Sequence, residues 1–315
     1  MLCAPPGGSF QTFGRMVYDV PELLESIAEQ TSWKSLVALG NSSKYAQELM
    51  RRIVRRRIKH LVLPFTFHAR NVDMFFTLLR VTEAGITGSL AWSVMAAVEE
   101  RSEPRPLNDL NIVVPKGGQR LWYWMRFLAS LGYSRIMYSE ALGIDSVVSR
   151  QTLSFETDGC LINVTESKTS SIIPVVISSP LTSMMNAVTY WRVYCFLPSL
   201  FARRVALETI NTRATSVERI DLNRRGIALH TLSYINWWDE ACGESCPAIW
   251  RQTRGLAGVG IARWGGMRAG PISDESDIPS PIQELGKANV KWRIGRSDRL
   301  NNYDGATVIV ESLDI

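Results

Sequence analysis

The sequence predicts an α+β fold: a helical N-terminal segment, a mixed helix-and-strand core and a C-terminal extension. Three observations carry this. Apolar residues recur at helical spacing between Leu23 and Ile58. A Gly88-Ser89 turn opens an apolar helical run and is followed by the strand-like Asn108–Val114. Two alternating runs, Gln151–Phe155 and Cys160–Thr165, are joined by Glu156-Thr157-Asp158-Gly159, and Asp-Gly between such runs is a hairpin signal.

The 315 residues give ample room for a buried core. Hydrophobic content of 46% and charged content of 21% exclude a disordered, highly charged chain. The net charge of +5 permits an acidic partner without demanding one. No apolar run is long enough for a membrane span, since Met184–Leu200 is interrupted by Asn186, Arg192 and Pro198. No basic-then-apolar secretion signal stands at the N-terminus. Five cysteines form an odd, sparse set, read as reduced thiols of the cytoplasm or nucleus.

Taken in order, residues 1–15 are rich in Pro, Gly and Ser and are expected to lack order. Asp19-Val20-Pro21-Glu22 opens a helix, with Asp19 as its cap and Leu23, Leu24, Ile27 and Ala28 as one apolar stripe. Trp33–Leu39 gives a second helix. Asn41-Ser42-Ser43 starts a third, running through Ile58. Its basic residues, Arg51, Arg52, Arg55, Arg56, Arg57 and Lys59, interleave with Ile53, Val54 and Ile58. They read as the solvated face of an amphipathic helix rather than a nucleic-acid patch. The texture changes at Lys59, and His60–Phe65 is read as a short strand or a helix end. Asn71–Thr82 and Gln119–Leu131 are amphipathic helices. Thr182–Ala187 and Arg203–Arg225 are read as helical, Gly255–Gly266 as Gly-rich, Pro271–Pro281 as a linker, and Ala306–Glu311 as a terminal strand.

Of the residues able to carry chemistry, Cys242 and Cys246 could be half a zinc site with His230 or Cys195 added. The loose spacing and the lack of a second pair favour thiols. Trp237 and Trp238 read as packing residues. The more informative pattern is Gly88-Ser89 followed by Asp109-Leu110-Asn111. A Gly-Ser turn at a helix start presents backbone N–H groups to phosphates. Side chains at i and i+2 of a strand share one face, so positions 109 and 111 converge.

This pattern resembles the polymerase-β-type nucleotidyltransferase core. The resemblance implies a triphosphate at Gly88 and Ser89, Mg²⁺ on carboxylates at positions 109 and 111, and a third carboxylate on the strand Leu161–Val164, at position 163. The chain departs from it at two of three ligands, which are Asn111 and Asn163. Neutral ligands bind a dication far more weakly than carboxylates. Glu103, Asp158 and Glu166 are the nearby acids. Glu166, three residues from Asn163, is expected on the opposite strand face.

Val20-Pro21-Glu22-Leu23-Leu24-Glu25-Ser26-Ile27, Trp33–Leu39 and Ser42–Tyr45 resemble an F-box, which implies docking of residues 16–65 on a Skp1-type adaptor. The ordered set Gly88-Ser89, Asp109–Ile112, Leu131-Gly132-Tyr133, Ile162–Val164, Glu166-Ser167, Ser179-Pro180-Leu181, Met185-Asn186, Cys246-Pro247 through Arg251 and Trp264-Gly265-Gly266 is similar to uncharacterised proteins of mushroom-forming fungi. Many of these join such a segment to such a domain. The expected division is therefore 16–65 F-box-like, 66–266 nucleotidyltransferase-like and 267–315 linker and tail. The expected function is non-catalytic binding, as an F-box-type ubiquitin-ligase adaptor, with no membrane partner and nucleic acid not the expected one. The alternative is a Mg-dependent nucleotidyltransferase or nucleotide sensor using Gly88, Ser89 and Asp109.

Overall fold

The computed structural model describes residues 20–96, 109–140, 148–209, 216–231, 249–265, 278–285, 287–296 and 304–311. Within them the fold is α+β. Four helices come first: α1 (Pro21–Gln30), α2 (Trp33–Gly40), α3 (Lys44–Thr66) and α4 (Ala69–Val81). Pro21 begins α1 where its missing N–H costs nothing. The cap position is Val20, which makes no side-chain bond; Asp19, the expected cap, lies outside the described residues. Ser32 and Ser43 cap α2 and α3, accepting from the N–H groups of Ser35 and Ala46 at 3.2 and 3.1 Å.

The expected stripe of α1 divides in two. Leu24 and Ala28 are buried against the other helices, whereas Leu23 and Ile27 face outward. α3 does not end where the sequence changes texture. It continues through Pro64 to Thr66, so His60–Phe65 is helix and not strand. Pro64 sits in the last turn, and Ile58, Val62 and Phe65 keep the helical burial period up to it.

The remaining elements build one large sheet and two small ones. Strands β1 (Gly85–Thr87), β2 (Asp109–Val114), β3 (Ser134–Glu140), β4 (Ser149–Thr157), β5 (Cys160–Ser167), β6 (Asn186–Val188), β7 (Arg192–Cys195) and β11 (Gly260–Arg263) form an eight-stranded sheet in the order β11-β7-β6-β1-β2-β5-β4-β3. Every neighbouring pair is antiparallel except β2 and β5, which run parallel. Helices α5 (Ser89–Met95) and α6 (Gly118–Ser130) connect its central strands, and α7 (Ile173–Ile177) and α8 (Pro198–Ala202) follow. The Asp158-Gly159 turn joins β4 to β5 with φ of 45° and 76°, as two-residue hairpin turns require.

Two helical expectations fail here. Thr182–Ala187 forms only a 3₁₀ turn (Thr182–Met184) before β6 begins. Arg203–Arg225 contains a strand, β8 (Val205–Glu208), and only then helix α9 (Ser216–Arg224). β8 pairs in parallel with β9 (Ala228–Thr231), and Ala206 and Leu207 are buried by that pairing. The helical expectation therefore holds over α9, which carries Glu218, Arg219, Asp221 and Arg224, while the short apolar run Val205–Leu207 pairs as strand instead.

The even-numbered residues Leu110, Ile112, Val114, Ile162 and Val164 pack with α3, α4 and α6 in one core. Val113, on the other face of β2, packs with α7, Tyr194, Phe196 and Trp292 in a second. The helical segment shares the first core with the sheet. Arg57 of α3 is buried and donates to the carbonyls of Glu29 and Val94 at 2.9 and 3.4 Å. The Tyr133 hydroxyl donates to the carbonyl of Phe65 at 3.1 Å. The C-terminal region is likewise more than linker and tail. Helix α10 (Pro281–Leu285) and strand β12 (Asn289–Arg296) bury Leu285, Val290, Trp292 and Ile294 in the second core, and β12 pairs with β10 (Arg251–Gln252) and β13 (Asp304–Glu311).

Gly265 closes this packing. A Cβ there would lie 2.0 Å from the carbonyl oxygen of Tyr190, so the backbone approach of this segment to the β6–β7 turn requires glycine. The neighbouring Trp264 indole donates to the carbonyl of Thr189 at 3.1 Å.

Candidate functional site

The residues singled out by the sequence come together. β2 and β5 run side by side with Asn111 opposite Asn163, and β4 places Ser154 opposite Asn163. On the same face Thr152 meets Thr165 across β4 and β5 at 3.0 Å. Gly88 and Ser89 reach the other end of this row from the turn between β1 and α5, because Thr87 is opposite Asn111.

The side chains form one hydrogen-bonded chain. The Ser154 hydroxyl donates to Asn163 Oδ1 at 2.7 Å, and Asn163 Nδ2 donates to Asn111 Oδ1 at 3.0 Å. Asn111 Nδ2 donates to Asp109 Oδ2 at 2.8 Å. The Ser89 hydroxyl donates to Asp109 Oδ1 at 3.4 Å, a long contact. Both carboxylate oxygens of Asp109 are thus engaged, and every amide in the row uses both of its ends. All five residues are partly buried or nearly so, with Ser154 the most enclosed. A half-buried polar row of this kind is stabilised when its members are hydrogen-bonded, as each is here to its neighbour.

Gly88 has a structural reason to be glycine. Its φ is 74° and its ψ is −143°, a region that residues with a Cβ seldom occupy. A Cβ would also stand 3.3 Å from Asn111 Nδ2. Gly88→Ala is expected to cost about 1–3 kcal/mol in a urea titration, the usual range for such strain. A loss below about 0.5 kcal/mol would show that the turn relaxes freely. The turn feeds a helix of only two turns, and the Ser93 hydroxyl bonds back to the Ser89 carbonyl at 2.9 Å.

The other acids do not join the row. Glu166 lies on the opposite face of β5, as its spacing predicts, and is fully buried. Its Oε1 accepts from the N–H of Gly117 at 3.1 Å, and its Oε2 accepts from Gln151 Nε2 at 2.7 Å. It anchors the start of α6. Asp158 occupies the hairpin turn and lines a separate pocket with Phe67, His68 and Ser130. Glu103 lies outside the described residues. Among the described residues no group of three or more His, Cys, Asp or Glu side chains could hold a metal ion. Cys242, Cys246, Trp237 and Trp238 lie outside them. Cys195 is fully buried in the first core, and burial pushes its thiol up to about 12; His230 is exposed on β9.

Ser154 was not among the sequence candidates, but a signal for it existed. Counting outward from the two-residue Asp158-Gly159 turn pairs Thr157 with Cys160 and therefore Ser154 with Asn163. A second missed cluster is Arg192, Tyr194 and Glu284. Arg192 Nη1 and the Tyr194 hydroxyl both donate to Glu284 Oε2, at 2.6 and 2.7 Å. Burial first, and the Glu284 carboxylate second, hold the Tyr194 phenol above its usual range. The partners are 90 or more residues apart, a separation no local pattern spans.

The basic run of α3 is less solvated than its pattern implies. Arg57 is buried, Arg56 pairs with Glu25 and Glu29, Lys59 with Asp73 and Arg51 with Glu48.

Fold and site together define an α+β protein whose sheet carries one carboxylate at the end of a neutral amide row. Comparison of the chain with protein-family models, curated proteins and solved structures finds no match. No helix among the described residues is long and apolar enough to cross a membrane.

Proposed function

We propose that this chain is a non-catalytic binding protein, built on a nucleotidyltransferase-like core that has lost its metal site, with an F-box-like helical segment ahead of it. The observation that carries this reading is the closed hydrogen-bond row from Ser154 to Asp109. Two-metal nucleotidyl transfer needs clustered negative oxygens with free lone pairs. Asn111 and Asn163 offer one neutral oxygen each in place of a carboxylate, and each already accepts a hydrogen bond from its neighbour.

The adaptor reading is supported by α1. Val20, Leu23 and Ile27 stand on one exposed stripe at helical spacing, beside the buried Leu24 and Ala28. An unpaired apolar stripe of this kind suits docking on a helical adaptor of the Skp1 type. Because α3 shares the sheet's core, the test uses the full chain. Calorimetric titration with a Skp1-type adaptor is expected to give micromolar binding, lost in Leu23→Glu/Ile27→Glu. The absence of heat with the wild type at micromolar concentrations would remove the adaptor role.

The rival is a nucleotide sensor or residual transferase using Gly88, Ser89 and Asp109. It rests on the contact between Ser89 and Asp109. A thermal shift by any of the four triphosphates with Mg²⁺, abolished by Asp109→Ala, would favour that reading over ours.

A further inference from the structure

α3 and α4 enclose an open cleft of about 1010 Å³, away from the amide row. Arg52, Arg55, Arg56, Lys59, His60 and Leu63 recur along α3 at helical spacing and form one wall. Ala69, Val72, Asp73, Phe76 and Thr77 recur along α4 and form the other, with Glu25 and Tyr190 also in the lining. The α3 wall is therefore basic, and the α4 wall mixes the apolar Ala69, Val72 and Phe76 with the polar Asp73 and Thr77.

We propose that this cleft binds an acidic peptide segment that also carries apolar side chains. Charge complementarity is the first reason. The lining holds Arg52, Arg55, Arg56 and Lys59 against the carboxylates Glu25 and Asp73. Cations still exceed carboxylates when Glu29, which pairs with Arg56 from α1, is counted. The existing pairs hold part of the wall in place: Arg56 on Glu25 at 2.8 Å and Lys59 on Asp73 at 3.0 Å. Arg52 and His60 are exposed, and no carboxylate pairs with either among the described residues. They are the positions where a partner's carboxylates gain most.

The second reason separates a peptide from a nucleic-acid strand. A single strand is held by an unbroken cationic track and by open ring faces. Glu25 and Asp73 break the track. Phe76 is 5% exposed, with its ring edge-on to Trp264 at 5.4 Å, and the Tyr190 ring is already covered by Arg80 at 5.5 Å. Neither lining phenyl ring, Phe76 or Tyr190, lies open to a base, which leaves His60 as the lining's exposed ring. An aliphatic or aromatic side chain of a peptide needs only apolar surface, which the exposed Leu63 of α3 and Ala69 of α4 supply on the two sides of the cleft. This assignment is independent of the adaptor reading, which uses the exposed stripe of α1.

The test is fluorescence anisotropy on the full chain. The probe is a labelled peptide in which Glu alternates with Leu and Phe. Micromolar binding is expected, falling with added salt and weakened about tenfold by Arg52→Glu. Arg135→Glu makes the same charge change on β3, outside the cleft, and is expected to leave binding within about twofold. Equal weakening by both variants would reduce the effect to net charge and overturn the proposal. So would an absence of binding, or tighter binding of oligothymidylate that Arg52→Glu abolishes. Binding only after Asp274, Glu275 and Asp277 are changed to Asn would instead assign the cleft to the chain's own acidic stretch, and would overturn a separate partner.

Discussion

Replacing Asn111 and Asn163 together by Asp is expected to destabilise the chain by about 3 kcal/mol in chelator and to make its stability respond to Mn²⁺ or Mg²⁺. Each change converts a hydrogen-bond donor into a second acceptor. Asn111 Nδ2 lies 2.8 Å from Asp109 Oδ2, and Asn163 Nδ2 lies 3.0 Å from Asn111 Oδ1. Three carboxylates would then stand in one half-buried row, with position 111 in contact with both of the others. They would repel one another, and part of the set would stay protonated at neutral pH. A divalent cation converts that repulsion into ligation and stabilises the folded state by mass action. Urea titrations with chelator and with millimolar Mn²⁺ read both effects. The wild type, whose row is closed by amides, is expected to show no Mn²⁺ dependence. A double variant as stable as wild type in chelator, and indifferent to Mn²⁺, would refute the description of these side chains as one contiguous site.

The Glu284→Ala variant is expected to lose about 3–5 kcal/mol, the range for a buried cation stripped of its partner. Arg192 and Glu284 have side chains only 8% and 11% exposed and meet at 2.6 Å. Glu284 also accepts from Tyr194, while Arg192 holds the carbonyl of Pro279 at 2.6 Å. The cluster therefore fastens α10 to β7, across 92 residues of sequence. Changing both partners to Met, which leaves no charge behind, is expected to recover much of the loss. If Glu284→Ala cost less than about 1 kcal/mol, α10 would be held by its apolar contacts, with Leu285 as the anchor.

Much of the candidate site could be read from spacing. The i, i+2 relation placed Asp109 and Asn111 on one face of β2, and the odd spacing from Asn163 sent Glu166 to the other. The Asp158-Gly159 turn set the register of β4 on β5. These are rules of chain geometry over a few residues. Other elements were not legible for an equally physical reason. β3 is an edge strand with Ile136, Met137 and Tyr138 all exposed, so burial leaves no period in its sequence. β6 and β7 are buried at every position, and a fully buried strand does not alternate. Leu23, Leu24, Ile27 and Ala28 made one stripe in the sequence because composition does not say which part of a helix meets another.

By itself the sequence determined the α+β class, the Ser42-Ser43 start of α3, the hairpin turn, and the neutral side chains that follow Asp109 at Asn111 and Asn163. All of these depend on residue identity and near-neighbour geometry. Only the tertiary structure decided that the helical segment shares its core with the sheet and that the basic face of α3 opens on a cleft against α4. It alone joined Ser89, Asp109, Asn111, Asn163 and Ser154 into a closed row. Such juxtapositions depend on which distant strands pair and which faces meet. Those choices are made by burial of the whole core, and no local stretch contains the energy that makes them.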